Sequence, residues 1–225
     1  MSNLPTDTKA LEQQQIPPHQ RLGCKLFIQM SGAPGSGKTT TANLLAPRID
    51  AIAIPHDNIK SLLLDSGVSF DEAGRIAYGL DWVLAENAMR QGLSVIVDTP
   101  CLYPQILDRG HALARAHGYT YCYIELRADP DNLAMLDDRL RARVDPLRVQ
   151  RTAIDDVLRD ADKFGGGAEA KEAARERFRA MVANPCRPAS NFIVVDACSS
   201  LDERIDFVLG QISAIADKEE ESAVR

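Results

Sequence analysis

The sequence predicts a three-layer α/β fold, in which helices cover both faces of a parallel sheet. Five short apolar runs alternate along the chain with segments whose apolar residues recur at helical spacing. Strands that are apolar throughout are typical of parallel sheets, because both faces of such a sheet are buried. A chain of 225 residues can bury one core of this kind without disulfide or metal cross-links.

The predicted elements are bounded by glycine, proline and changes of periodicity. The strands are expected at residues 25–31, 51–55, 93–97, 119–126 and 192–196. The helices are expected at residues 39–45, 58–64, 70–90, 106–116, 130–143, 152–163, 168–182 and 201–215. Helices between successive strands allow the strands to run parallel.

The chain is predicted to hold one domain between two polar ends. Residues 1–22 are polar and contain several prolines, which is typical of a flexible arm. Residues 217–225 are predicted to form a charged, frayed end. The domain between them, 23–216, is expected to include a helical lid at about 139–165.

The composition argues against several classes of protein. The 32 acidic residues outnumber the 26 basic ones and give a net charge of −6. That charge disfavours a surface that coats nucleic-acid phosphates, although it allows a local basic site. No apolar run approaches the ~18 residues of a membrane span, so no membrane association is expected. Five cysteines without a CxxC pair, and no apolar leader, favour reduced thiols and a cytoplasmic protein.

The strongest motif follows the first predicted strand and precedes a predicted helix. It reads Gly32-Ala33-Pro34-Gly35-Ser36-Gly37-Lys38-Thr39 and matches G-x-x-x-x-G-K-[ST]. The glycines let successive N–H groups point at phosphate oxygens, and the helix adds the positive end of its dipole. Lys38 can reach the β and γ phosphates, and Thr39 offers a hydroxyl to Mg²⁺. Residues 32–40, which include Thr40, are therefore predicted to bind ATP.

Phosphate binding alone does not identify the reaction, but two carboxylates at the ends of predicted strands favour a kinase. GTPases need an N-K-x-D motif, which the sequence lacks. Asp57 and Asp98 follow the second and third predicted strands, at the edge where open α/β sheets bind ligands. Asp57 could orient and deprotonate an acceptor hydroxyl, or it could simply cap a helix. Asp98 could hold a water of Mg²⁺, or it could shape a turn. Lys60, one helical turn beyond Asp57, could bind a negative group of the substrate.

Six arginines between positions 139 and 159 form the main basic cluster. Arg139 and Arg143 are four residues apart and share a helix face. Such a run is commonly a solvated face, and neighbouring aspartates could pair with it. Because this one follows the fourth predicted strand of a phosphate-binding chain, we favour a lid whose arginines neutralise the transferring phosphoryl group.

With these pieces in place, residues 25–165 resemble the P-loop kinases around polynucleotide kinase, zeta-toxin kinases and chloramphenicol phosphotransferase. The matching pieces are GAPGSGKTT, HDNIK, SVIVDTP, the run from Arg109 to YCYIEL, and RLRAR. The resemblance implies a P-loop NTPase fold with strand order 2-3-1-4-5. It also implies Asp57 as general base, Asp98 at the end of the third strand, and Arg139 and Arg143 as lid arginines.

The chain departs from that family at two positions. Polynucleotide kinases carry arginine where Lys60 stands, and lysine lacks the bidentate fork that recognises a phosphate. Pro100 replaces the usual Asn of an Asp-Thr-Asn sequence. This sequence predicts no phosphatase domain beside the kinase-like region.

We therefore expect an ATP- and Mg²⁺-dependent kinase that phosphorylates a hydroxyl of a small molecule, with nucleosides and nucleotides among the candidates. Lys38, Arg139 and Arg143 would act on the phosphates, and Asp57, Lys60 and Arg109 would face the acceptor. The alternatives are a polynucleotide 5′-hydroxyl kinase, a toxin kinase acting on a nucleotide sugar, and a non-catalytic ATP-dependent switch. A kinase needs Asp57, whereas a switch does not.

Overall fold

A single parallel sheet organises the part of the chain that the computed structural model describes. The described residues are 24–101, 103–129, 133–142, 172, 176, 179, 182–184 and 186–223. Within them, the strands are β1 (Leu26–Gly32), β2 (Ala51–Pro55), β3 (Ser94–Asp98), β4 (Thr120–Arg127) and β5 (Phe192–Asp196). Their order is β2-β3-β1-β4-β5, as predicted, and each neighbouring pair is parallel.

Helices connect the strands and cover the sheet. In the described residues they are α1 (Lys38–Leu45), α2 (His56–Asp65), α3 (Phe70–Arg90), α4 (Pro104–His117), α5 (Leu133–Arg141) and α6 (Leu201–Ala223). None of them is long and apolar enough to cross a bilayer. The helix predicted at 152–163 and nearly all of the one at 168–182 lie outside the described residues, as does most of the predicted lid.

The last helix differs from its prediction. It continues to Ala223, whereas the sequence was expected to leave the helix at 215 and to fray from 217. Alanine, lysine and glutamate, which dominate these positions, are strong helix formers. The amide of Asn191 also donates to Glu219 Oε1 at 3.1 Å and ties the helix to the start of β5. The predicted fray is therefore wrong for residues 217–223.

The two faces of the sheet have different characters. Even-numbered residues of β1 and β4 pack against α1 and α6 in an apolar cluster, namely Leu26, Ile28, Met30, Cys122, Ile124 and Leu126. Odd-numbered residues face α3 and α4, namely Phe27, Gln29, Ser31, Tyr121, Tyr123 and Glu125. The second face therefore contains buried polar residues, namely Gln29, Ser31 and Glu125.

Polar residues are tolerated on that face because they are paired. Gln29 Nε2 donates to the carbonyl oxygen of Ile106 at 3.1 Å, and its Oε1 accepts a hydrogen bond from Tyr121 at 2.8 Å. Such pairing offsets the cost of removing polar groups from water. The approach of α4 depends on Gly110, where a Cβ would lie 2.3 Å from Gln29 Oε1.

The cysteines form no disulfide among the described residues. Burial raises the pKa of Cys122 to about 12. It also raises the pKa of Cys101 to about 12, with a smaller contribution from Cys186. These two thiols therefore stay protonated and unreactive at neutral pH.

Candidate active site

The predicted phosphate-binding loop lies at the carboxyl edge of the sheet, between β1 and α1. Gly32, Gly35 and Gly37 have φ angles of +134°, +82° and +98°, which L side chains rarely adopt. A Cβ on Gly32 would lie 2.5 Å from the carbonyl oxygen of Leu126, and one on Gly35 would lie 2.7 Å from that of Leu136. The glycines therefore permit both the curvature of the loop and the close approach of β4 and α5.

Lys38 opens α1, and its side chain turns back over the loop. The buried ammonium donates to the carbonyl oxygens of Gly32 at 2.8 Å and Ala33 at 3.0 Å. The Ser36 hydroxyl is also buried and has no hydrogen-bond partner among the described residues. Since buried polar atoms are nearly always paired, this hydroxyl fits a partner that a bound nucleotide would supply.

The two residues predicted to serve magnesium are in contact. Thr39 Oγ1 donates to Asp98 Oδ2 at 2.5 Å. Asp98 ends β3, the neighbour of β1 in the sheet, and is buried. Hydroxyl and carboxylate oxygens are the donors that Mg²⁺ prefers, so this pair fits the ion chemically.

Asp57 lies in the first turn of α2, directly after β2. The capping position of this helix is held by Pro55, without a side-chain hydrogen bond. Pro55 pairs in register with Asp98, which places the start of α2 at the same edge of the sheet as Asp98. Lys60 is half-buried on α2 and passes over α3 at Gly74, where a Cβ would lie 3.9 Å from Lys60 Cε.

A buried polar group next to Asp57 was not predicted as functional. His56 Nδ1 lies 2.6 Å from Asp81 Oδ2, and both side chains are buried. The His56 ring packs on Tyr78, with ring centroids 4.4 Å apart. Burial raises the pKa of Asp81, although the hydrogen bond with His56 lowers it. The pair joins the start of α2 to α3 and so fixes the backbone that carries Asp57.

The periodicity of α3 could have predicted that Asp81 is a buried and paired carboxylate. It occupies one position in a buried row at four-residue spacing whose other members are alanines, Ala73, Ala77 and Ala85. A carboxylate is almost never buried unless it is paired. A lone acid in an apolar helical row therefore indicates an unseen partner, here His56.

Of the two predicted lid arginines, Arg139 lies within the described residues and Arg143 does not. Arg139 lies exposed on α5, and its Nη1 donates to the carbonyl oxygen of Ala197 at 2.8 Å, just after β5. Leu136, on the same helix, approaches the loop at Gly35. Arg143 lies outside the described residues. The start of the predicted lid is thus packed between the loop and the segment that follows β5.

A second arginine, Arg204 on α6, was not predicted. It is buried and donates to the carbonyl oxygens of Ala197 at 3.0 Å and Ser199 at 2.9 Å, and to Thr41 Oγ1 at 3.3 Å. Burial, and then the nearby charge of Arg139, lower the pKa of Arg204. Its guanidinium connects α1 to the segment after β5 and packs against the loop at Gly37.

Arg109, which was predicted to face the acceptor, has a different neighbour. It is exposed on α4, and its guanidinium lies 5.8 Å from the centroid of the Trp82 ring. That separation is typical of a cation–π contact. Trp82 belongs to the core between the sheet, α3 and α4, so the contact of Arg109 is with that core.

Comparison with known proteins identifies the family to which this domain is similar. The sequence model of a family described as an AAA domain matches residues 27–164, which include the loop, Asp57, Asp98 and α5. No curated protein matches the sequence.

Several solved structures share the fold. A gluconokinase from Sinorhizobium meliloti aligns over 90% of this chain and 99% of its own, with a TM-score of 0.59 and 15% identity. A sugar kinase from Janibacter covers 85% and 98%, with a TM-score of 0.54 and 16% identity. The APS kinase of Mycobacterium tuberculosis, in complex with AMPPNP and APS, covers 84% and 98%, with a TM-score of 0.51 and 15% identity.

The predicted P-loop NTPase fold is therefore confirmed. At these sequence identities, the similarity to solved structures concerns the fold alone. The narrower resemblance to polynucleotide kinase, zeta-toxin kinases and chloramphenicol phosphotransferase stays a prediction.

Proposed function

Because this chain belongs to the family described as an AAA domain, we propose that it is an ATP- and Mg²⁺-dependent kinase that phosphorylates a hydroxyl of a small molecule. Structures of the same fold include a gluconokinase, a sugar kinase and an APS kinase, all of which act on small molecules. The observation that carries the proposal is the common edge of β1, β2 and β3, because the loop, Asp57 and Asp98 all lie at the carboxyl ends of these neighbouring strands.

The nucleotide half of the site uses the loop and the start of α1. The backbone N–H groups of the loop and the Lys38 ammonium would hold the β and γ phosphates of ATP. Thr39 would ligate Mg²⁺, and Asp98 would hold one of its waters. The ion, when bound, neutralises charge on the β and γ phosphate oxygens.

The acceptor half uses α2. Asp57 would orient the acceptor hydroxyl and take its proton as the oxygen attacks the γ phosphorus. The bond from that phosphorus to the bridging oxygen of ADP breaks, and the electron pair leaves with ADP. Arg139 and Arg143 would neutralise charge that develops on the transferring group, as lid arginines do in phosphoryl transfer.

The decisive test is transfer from labelled ATP to a panel of nucleosides, nucleotides, sugars, hydroxy acids and oligonucleotides. Asp57→Asn should bind ATP as the wild type does, but lose transfer by ~10²-fold or more, because a positioned general base contributes that much. Asp65→Asn is the matched control, since Asp65 lies exposed at the far end of the same helix. It should leave transfer unchanged.

Two results would contradict the proposal. Wild-type rates in Asp57→Asn would remove the general base from the mechanism. Firm ATP binding by the wild type with no transfer to any member of the panel would favour the non-catalytic switch.

A further inference from the structure

A buried carboxylate near the end of β4 holds an arginine in a fixed orientation. Glu125 is 2% exposed and faces the α3 and α4 side of the sheet. Arg187, just before β5, contacts it with two nitrogens: Nη2 lies 2.9 Å from Oε1, and Nε donates to Oε2. Arg127 Nε lies 3.1 Å from Oε1. Two arginines and one glutamate leave this group, which we name the β4 cluster, with a net charge of +1.

The β4 cluster lies beside the phosphate-binding loop. Glu125 pairs in register with Ser31, the residue before Gly32. The Ser31 hydroxyl donates to the carbonyl oxygen of Pro100 at 3.1 Å, in the segment that follows Asp98. The cluster therefore borders the end of β1 and the segment after β3.

The same cluster lies on the side of the sheet where we place the acceptor. Tyr123, on the same face as Glu125, donates to the carbonyl oxygen of Cys186 at 2.5 Å, which fixes the residue before Arg187. Tyr78 of α3 packs on the apolar core of this side of the sheet and on the ring of His56, which begins α2. The start of α2 therefore lies on the same side of the sheet as the cluster.

The exposure of Arg187 distinguishes it from an arginine that only neutralises a buried acid. Its side chain is 33% exposed, whereas that of Glu125 is 2% exposed. Among the described residues, its hydrogen bonds go to Glu125 alone, through Nε and Nη2, and Nη1 is not used. A guanidinium fixed in its plane by a bidentate acid is pre-organised for a carboxylate or phosphate group.

We propose that Arg187, oriented by Glu125, binds an anionic group of the acceptor. The acceptor is then a hydroxy acid or a hydroxyl-bearing phosphate ester, and neutral sugars and nucleosides are poor substrates. This inference rests on the proposed kinase function. It assigns a binding role to Arg187 and a positioning role to Glu125, and it adds a second cation to Lys60 on the acceptor side.

The experiment compares acceptors that are matched except for charge: gluconate with glucose, and a nucleoside 3′-monophosphate with its nucleoside. The wild type should transfer phosphate to at least one anionic member and at least ~10-fold more slowly to its neutral partner. Arg187→Gln should lower kcat/KM for that anionic acceptor by about 10- to 100-fold, mainly through KM. The KM for ATP and the slow rate with the neutral partner should not change.

Three further variants separate binding from stability. Arg187→Lys keeps the charge but loses the fork, so it should recover only part of the affinity. The double variant Glu125→Gln, Arg187→Gln removes both charges, so it avoids leaving an acid buried with a weakened partner. It should fold and show the same loss of discrimination as Arg187→Gln. Arg90→Gln, which breaks the exposed pair with Glu86, is the control and should change nothing.

The outcomes of this experiment are distinguishable from those that test the kinase function. Equal transfer to charged and neutral partners would leave a kinase and overturn the role of Arg187. If no acceptor is phosphorylated, the kinase function fails. The thermal shift caused by the anionic panel members then tests separately whether Arg187 binds an anion. A shift that is lost in Arg187→Gln supports the anion site, and a shift of equal size, or none in either protein, overturns it.

Discussion

A single methyl group at Gly35 should test whether α5 packs on the phosphate-binding loop. Gly35 has φ +82°, and an added Cβ would lie 2.7 Å from the carbonyl oxygen of Leu136 in α5. The substitution Gly35→Ala therefore has two costs. The first is the strain of a left-handed conformation, which is about 1–2 kcal/mol for a non-glycine residue. The second is the displacement of helix backbone, which costs about 1–3 kcal/mol when a packed region is overfilled.

Gly67 provides a matched control for the first cost. Its φ is +84°, but an added Cβ would have nothing within 4 Å. Gly67→Ala should thus lower the free energy of unfolding by about 1–2 kcal/mol through strain alone. Gly35→Ala should lower it by about 2–5 kcal/mol, and the difference between the two variants measures the contact with α5.

Urea unfolding of both variants gives the two free energies, and a thermal shift with Mg-ATP gives the functional consequence. Gly35→Ala should lose most of the stabilisation by ATP, because moving α5 also moves the loop carbonyls and the ammonium that contacts them. Gly67→Ala should keep all of it. If the two variants are equally stable and respond equally to ATP, α5 does not pack on the loop as described, and the reasoning fails.

Three further predictions follow from the site. Lys38→Ala should remain folded but lose stabilisation by Mg-ATP in a thermal shift assay, and an undiminished shift would contradict the loop assignment. The stability of Asp81→Asn relative to that of the wild type should increase as the pH rises from about 4 to 7. Folding raises the pKa of Asp81, so this residue stabilises the folded wild type only while it is protonated, and the wild type loses that stability over this range. Urea unfolding at pH 4 and 7 measures the difference in free energy of unfolding between the two proteins, and a difference that does not change with pH would contradict the prediction. Oligonucleotide binding should be weak and should depend little on salt, since the chain carries a charge of −6, and sub-micromolar binding with a slope of several units in a salt titration would instead favour a polynucleotide kinase.

The nucleotide half of the site was predictable because its pattern is local. The loop needs glycine at positions of positive φ, a lysine at the start of the helix and a strand before it, all within a few consecutive residues. The strands were predictable for a similar reason, because short runs rich in apolar residues between helical segments indicate buried parallel strands. Their observed bounds differ from the predicted ones by one or two residues at most.

The polar pairs that shape the site join distant parts of the chain, and no local pattern contains them. His56 and Asp81 are separated by 25 positions, Glu125 and Arg187 by 62, and Thr41 and Arg204 by 163. Periodicity gives the burial of each residue but not the identity of its partner. Only one sign was present in the sequence: a single charge inside a buried row, such as Glu125 between Ile124 and Leu126.

Nucleotide recognition is easier to predict from the sequence than acceptor recognition, and the reason lies in the groups that bind each ligand. Phosphates are bound largely by backbone N–H groups, so the loop constrains the sequence through conformation, and glycine reports that constraint directly. The acceptor that we propose on the α3 and α4 side would instead be recognised by side chains from separate elements, such as Lys60 on α2 and Arg187 before β5. Each of these side chains is ordinary in its local context, and the fixed direction of Arg187 comes from its buried partner Glu125. Substrate specificity in this chain should therefore be sought among charged residues held by buried partners, of which Arg187, held by Glu125, is the clearest.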